Sequence, residues 1–147
     1  MTDLRELYQE MILDHNRSPR NFREIEEADC CVKGENPLCG DQLTLYLKIK
    51  DGVVDDASFQ GAGCAISTAS ASMMTEAITG KTVDQVKEMF SEFHEMVTEG
   101  VLHNPDDLGK LVVFAGVGEY PVRIKCATLA WHALKAGLQG DEQATTE

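Results

Sequence analysis

A chain of 147 residues, 43% hydrophobic and 26% charged, has the make-up of one soluble domain that can bury a core without needing disulfides or metal. No apolar run approaches the ~20 residues of a membrane-spanning helix. A formal net charge of −12 with no basic stripe repels phosphate backbones and anionic lipid, which excludes nucleic acid and membrane as partners.

The opening MTDLRELYQEMILDH has neither the basic start nor the continuous apolar stretch of a secretory signal, which places the chain in the cytoplasm. Asp3 and Glu6 have capping-box spacing, and Leu4, Leu7, Tyr8, Met11 and Ile12 recur at helical intervals, so residues 3–16 read as an amphipathic helix that Pro19 ends. A polar, irregular stretch follows to about Ala28. Cys30, Cys31 and Val32 suit a short strand, and Gly34 to Gly40 a loop containing Pro37.

Leu43, Leu45, Leu47 and Ile49 alternate with Gln42, Thr44, Tyr46 and Lys48, the period of a strand with one buried face. Asp51-Gly52 suits a type I′ turn, and Val53, Asp55, Ala57 and Phe59 alternate after it, so residues 41–60 read as a hairpin. Beyond Gly61-Ala62-Gly63, the residues Ile66, Ala69, Met73, Ala77 and Ile78 take helical spacing among small Ala and Ser, predicting a closely packed helix. The Met73-Met74 pair reads as core packing there rather than as a soft-metal site.

Thr82 and Gln85 form a second capping box, with Val83, Val86, Phe90, Phe93 and Val97 as an apolar stripe and Gly100 as a stop. Residues 101–121 are broken by glycines and prolines and leave room for one short helix around Leu108 to Ala115. After Pro121 a last helix carries Ile124, Ala127, Trp131, Leu134 and Leu138 on one stripe, and GDEQATTE reads as a frayed tail. Together these predict a single α+β domain over residues 1–139, an antiparallel sheet covered on one face by helices, with 140–147 disordered.

Five cysteines is an odd number, and in a reducing compartment thiols serve as metal ligands or nucleophiles more than as disulfides. Cys39 lies in the loop before the hairpin, Cys64 at a helix start after glycines, and Cys126 in what the pattern makes the first turn of the last helix. A helix N-terminus lowers a thiol pKa. Asp41 is two residues from Cys39, and in an extended loop the two point the same way, so Cys39, Asp41, Cys64 and Cys126 are candidates for one tetrahedral site. Spacing alone leaves a second reading open, in which scattered cysteines are simply small buried hydrophobes. Cys30 and Cys31 fall on opposite faces of a strand and read as incidental thiols. His15 reads as a polar loop histidine, and His94, His103 and His132 as structural or exposed residues.

Around these residues the chain resembles the NifU/IscU-type iron–sulfur assembly proteins, specifically their SufU branch. The resemblance is carried by LYQEMILDHNRSPRN (7–21), NPLCGD (36–41), GAGCAISTASASMM (61–74) and RIKCATLAW (123–131). It implies a three-stranded antiparallel sheet packed by about five helices, and a zinc site made by Cys39, Asp41, Cys64 and Cys126. It further implies a role as sulfur carrier: the protein accepts persulfide sulfur from a PLP-dependent cysteine desulfurase and passes it to a downstream cluster scaffold. In that scheme a desulfurase histidine replaces Cys39 on the zinc and frees its thiolate, with Arg123 stabilising the thiolate or docking the partner.

Two departures separate the chain from IscU scaffolds. Lys125 stands where IscU has a histidine before the last cysteine, and about 20 residues around Phe93 to Leu111 are extra. Asn16 replaces the usual aromatic after His15. The same three thiols and Asp41 suit two alternative readings, a scaffold holding a transient [2Fe–2S] cluster and iron, or a structural zinc adaptor.

Overall fold

The structure, a computed structural model, describes residues 4–146. In chain order it contains α1 (Leu4–Arg17), β1 (Cys30–Asn36), β2 (Asp41–Lys50), β3 (Val53–Ala62), α2 (Ala65–Ile78), α3 (Val83–Glu99), α4 (Pro105–Leu108), a 3₁₀ segment (Gly109–Glu119), α5 (Pro121–Leu138) and β4 (Gln143–Thr145). No helix among the described residues is long and apolar enough to cross a membrane. Asp3 of the expected first capping box lies outside the described residues.

The α+β class is as expected, but the sheet is not a three-stranded antiparallel one. It has four strands in the order β3-β2-β1-β4, and β4 pairs parallel to β1 through Lys33↔Gln143, Gly34↔Ala144 and Glu35↔Thr145. Residues expected to fray therefore carry a strand. The reason is backbone pairing at an open edge: the Lys33 N–H donates to the Glu142 carbonyl at 2.9 Å and the Thr146 N–H to the Glu35 carbonyl at 3.2 Å. Strand β1 is also longer than expected, running to Asn36 because its pairing with β2 continues to Asn36↔Asp41.

The β2–β3 hairpin turns at Asp51 and Gly52, both at positive φ as a type I′ turn requires. On β1, Val32, Gly34 and Asn36 are buried and alternate with exposed Cys31, Lys33 and Glu35, so the helices cover one face. Gly34 lets α5 cross closely, because a Cβ there would sit 3.3 Å from Leu129.

Helix α2 is the central helix. Ser67, Ala69, Ser70, Ala71 and Ser72 are buried along it, and these small side chains allow α1 and α5 to pack close on either side. The Ser70 hydroxyl is satisfied by the Ala127 carbonyl of α5 at 2.6 Å. Helix α3 begins on the Thr82/Gln85 capping box and ends on Gly100 at φ +71°. Phe93 of α3 stacks on Trp131 of α5 with ring centroids 4.5 Å apart, and Phe114 of the 3₁₀ segment closes the same aromatic core. In place of one short helix, residues 105–119 form a single α turn and a 3₁₀ run. Gly109 breaks them apart with a backbone at φ +55° that L residues avoid.

His15 is not a solvent-facing loop residue. It lies within α1, 2% exposed, with Nδ1 2.6 Å from the Ser72 hydroxyl and Nε2 3.8 Å from Glu76. The Ser72 oxygen already accepts the Arg20 N–H at 2.8 Å, so its proton is free to go to Nδ1, which suits a neutral imidazole. Burial, then the Arg20 charge, pushes the His15 pKa down, with Glu76 opposing. A folded pKa below the unfolded value means that the unfolded chain binds the proton more readily. The stability contribution is complete above the unfolded value near 6.5 and is lost as pH falls. Urea titrations at pH 7 and pH 5 are expected to show the wild type losing more stability than His15→Gln over that range. His132 shifts in the same direction through burial, but it is common to both proteins and cancels in the comparison.

Candidate metal centre

Three of the four candidate ligands, Cys39, Asp41 and Cys126, meet where the sheet and α5 come together, and Cys64 at the start of α2 lies beside Asp41. Cys39 is brought there by the four-residue turn Pro37–Gly40 between β1 and β2. The Asn36 carbonyl accepts the N–H groups of Cys39 at 3.3 Å and Gly40 at 2.8 Å, and Gly40 takes φ +74°. Cys39 and Asp41 thus converge through a tight turn and not through extended alternation, which corrects the geometric expectation while keeping the two together. Cys39 is exposed at the turn tip, while Asp41, the first residue of β2, is 1% exposed.

Cys64 is the N-cap of α2. Its thiol accepts the Ser67 N–H at 3.4 Å, the place a serine or threonine hydroxyl usually takes. Its own N–H donates to Asp41 Oδ1 at 2.8 Å. Gly63 makes that approach possible, since a Cβ there would lie 2.7 Å from Asp41 Oδ1 and 3.1 Å from its Cγ. Cys126 is not in the first turn of α5, because Pro121 starts the helix and places Cys126 well inside it, 3% exposed.

Sγ of Cys126 lies 3.6 Å from Sγ of Cys39, and Sγ of Cys64 lies 3.9 Å from Asp41 Oδ2. A tetrahedral zinc with Zn–S bonds of about 2.3 Å separates its ligand atoms by about 3.5–3.8 Å. Cys39, Asp41 and Cys126 lie within reach of one such ion, whereas Cys64, close to Asp41, falls outside that group and must move inward to serve as the fourth ligand. One thiol, one carboxylate oxygen and another thiol, from Cys39, Asp41 and Cys126, all lie within 4.8 Å of one another. Three thiols and a carboxylate suit zinc or a thiolate-bound iron centre, and not a hard cation such as magnesium.

The thiols differ electrostatically. Cys64 is lowered to about 6, first by the hydrogen bond from the Cys126 thiol and then by the Ser67 and Ile66 N–H groups, against burial and the Asp41 charge. Cys126 is pushed well up by the same shared proton and by burial. In the metal-free pair, Cys64 is the thiolate and Cys126 the thiol.

Arg123 lies one turn before Cys126, with its guanidinium 4.4 Å over the Tyr120 ring and not on a ligand atom. Two residues to which sequence reasoning gave no role stand behind the four. Asn36, within the NPLCGD segment, is fully buried and directs Nδ2 at Asp41 Oδ2 at 3.2 Å and at Cys126 Sγ at 3.7 Å. Tyr8 of α1 has a buried hydroxyl without a partner among the described residues; burial raises its pKa, the Arg123 charge opposes, and Cys64 and Cys126 add to the rise. Neither role has a periodicity signal, since Tyr8 simply extends an apolar stripe. Cys30 donates to the Gly137 carbonyl at 3.3 Å and Cys31 is exposed on the opposite face of β1, both away from this end.

Comparison with known proteins converges on the same grouping. The signature of the NifU-like N terminal domain spans residues 7–143. The zinc-dependent sulfurtransferase SufU of Bacillus subtilis is 42% identical over 92% of this chain and 92% of its own. The iron–sulfur cluster assembly scaffold protein IscU of Thermotoga maritima is 40% identical over 90% of this chain and 93% of its own. The crystal structure of FiSufU from Fervidobacterium islandicum superposes with a TM-score of 0.85 at 36% identity, covering 90% of this chain and 96% of that one. With a match across nearly the whole domain in sequence and in backbone, this chain belongs to the NifU-like N-terminal domain family.

Proposed function

We propose that the chain works in iron–sulfur cluster assembly as a zinc-holding sulfur carrier, taking persulfide sulfur from a PLP-dependent cysteine desulfurase and handing it to a downstream cluster scaffold. The observation that carries this reading is an asymmetry within the site. Cys39 is exposed on a glycine-hinged turn, while Cys126 and Asp41 beside it are buried. Such a set holds a metal from below and offers one thiol to a partner.

Cys39, Asp41, Cys64 and Cys126 would hold the zinc, which when bound keeps the thiols deprotonated and in place. Cys39 then acts as nucleophile. Its thiolate attacks the outer sulfur of the desulfurase persulfide, a new S–S bond forms on Cys39 Sγ, and the old S–S bond breaks. The enzyme cysteine leaves as thiolate, so charge and atoms balance. Asp41, Cys64 and Cys126 stay in place, and Arg123, one turn before Cys126, is assigned to stabilise the released thiolate or to dock the partner.

The name of the B. subtilis relative supports this reading, and Lys125 in place of the IscU histidine points the same way. The T. maritima relative, a scaffold by name, supports a second reading in which the same groups hold a transient [2Fe–2S] cluster. The two separate cleanly. As a carrier, the protein purified without added iron contains about one zinc per chain and raises alanine production by the desulfurase. As a scaffold, it develops visible charge-transfer absorption with iron and sulfide and leaves desulfurase turnover unchanged, an outcome that would overturn the carrier reading.

A further inference from the structure

The chain just beyond β4 reaches the metal centre through the Thr146 side chain. The Thr146 hydroxyl, one residue beyond β4, donates to Asn36 Oδ1 at 2.9 Å, and the other end of that amide faces Asp41 and Cys126. An ionised carboxylate only accepts hydrogen bonds, so Nδ2 must face Asp41 and Oδ1 must face away. Oδ1 is then a buried acceptor that needs a donor, which Thr146 supplies. The backbone of the same residue closes the Cys39 turn by accepting the N–H groups of Cys39 and Gly40. Asn36 therefore touches the surroundings of three of the four candidate ligands, and its amide orientation is set from β4.

We propose that Asn36 and Thr146 are positioning residues for the metal centre, and that docking of β4 on the edge of β1 tightens the hold on the metal through them. This inference rests on the metal reading above. The physical basis is that an outer hydrogen-bond partner orients a ligand and tunes its donor strength. A carboxylate oxygen has lone-pair capacity for both a donated N–H and a metal, so the Asn36 bond aims Asp41 without consuming it. On Cys126, an N–H pointing at sulfur lowers the energy of the sulfur lone pairs once it is a thiolate. The strand itself is three residues long, largely exposed, and lies at the edge of the sheet. It belongs to the least stable part of the sheet and can be undocked without unfolding the core.

Cobalt(II) titration of the metal-free protein, competed against a chelator, tests this directly, because cobalt reports thiolate ligation by absorption. Asn36→Ala is expected to weaken cobalt binding by about 10- to 100-fold, the range for loss of an outer-shell partner. It should also move the thiolate-to-cobalt band to lower energy, which a merely structural role would not do. Two milder variants keep the test sharp if Asn36→Ala folds poorly. Thr146→Val keeps the methyl and loses the hydroxyl, with about fivefold weaker binding expected from one lost hydrogen bond. Thr146→Ser keeps the hydroxyl and is expected to match the wild type. Equal affinities and band positions for Thr146→Val and Thr146→Ser, with the wild type showing thiolate bands, would overturn this inference and leave the metal reading standing. A wild type without thiolate bands would overturn the metal reading, and this inference with it.

Discussion

Cys39→Ser protein, mixed with a cysteine desulfurase and cysteine, is expected to acquire no sulfane sulfur. A serine hydroxyl is essentially un-ionised at neutral pH and forms no stable product with sulfur, whereas a cysteine thiolate at that position would form a persulfide. Loss of an attacking nucleophile lowers rates by at least about 10³-fold, so the transfer falls below detection. The structure makes the same variant mild in other respects: Cys39 is exposed on a turn held by backbone bonds to the Asn36 carbonyl, and these survive the change. The fold is therefore expected to persist, as circular dichroism and thermal melting will show. A Cys30→Ser/Cys31→Ser double variant is the matching control. Both thiols lie on β1 away from the site, Cys30 on the Gly137 carbonyl and Cys31 in solvent, so sulfur acceptance is expected at the wild-type level. Burial, with Asp29 beside it, also pushes the Cys30 thiol pKa up, which makes it a poor nucleophile.

The second large effect is expected at a residue that bears no functional group. Gly63→Ala places a methyl 2.7 Å from Asp41 Oδ1 and 3.1 Å from both its Cβ and Cγ. Asp41 cannot swing aside freely, since it is buried and tied by the Cys64 N–H at 2.8 Å and the Asn36 amide at 3.2 Å. The variant must displace either the carboxylate or the start of α2, and either movement separates Asp41 from Cys64 or from the cluster it forms with Cys39 and Cys126. Zinc retention against a chelating dye is expected to fall by about 100-fold, the upper end for lost ligand orientation. The aromatic core around Phe93, Phe114 and Trp131 is remote from Gly63, so the cooperative melt of the metal-free protein should shift far less than that of the zinc form. Equal retention by Gly63→Ala and wild type would mean that Asp41 is not a ligand.

How much of this was legible beforehand depends on whether the signal is local. The β2–β3 hairpin was plain because Leu43, Leu45 and Leu47 alternate with polar residues and Asp51-Gly52 has turn chemistry, both short-range features. Helix α3 was equally plain from Thr82 and Gln85, whose reciprocal bonds form as their spacing suggests. Strand β4 was not legible: Gln143, Ala144 and Thr145 have no periodicity, and what orders them is a backbone edge more than 100 residues earlier in the chain. The burial of His15 was hidden for the same reason, since its partner Ser72 is distant in sequence and its own neighbours are polar.

At the metal centre the division is similar. Cys39, Asp41, Cys64 and Cys126 stand out by their motifs, but their approach to within a few ångströms is a consequence of how the β1–β2 turn, α2 and α5 pack. Cys126 lies deeper in α5 than the apolar stripe suggests, because Tyr120 and Pro121 start the helix earlier. Asn36 and Gly63 acquire their roles only when β1, β2 and the start of α2 meet. A motif shows which residues carry chemistry, whereas the groups that aim them are fixed by tertiary contacts.

The central claim is that Cys39 receives sulfur at this centre, and its most direct test is peptide mass mapping of the zinc-loaded wild type after one turnover of a cysteine desulfurase. Persulfides are trapped by alkylation before digestion. The account predicts one added sulfur on the peptide containing Cys39, with the peptides containing Cys30, Cys31, Cys64 and Cys126 unmodified. Sulfur on any of those four instead, or none on Cys39, would contradict it.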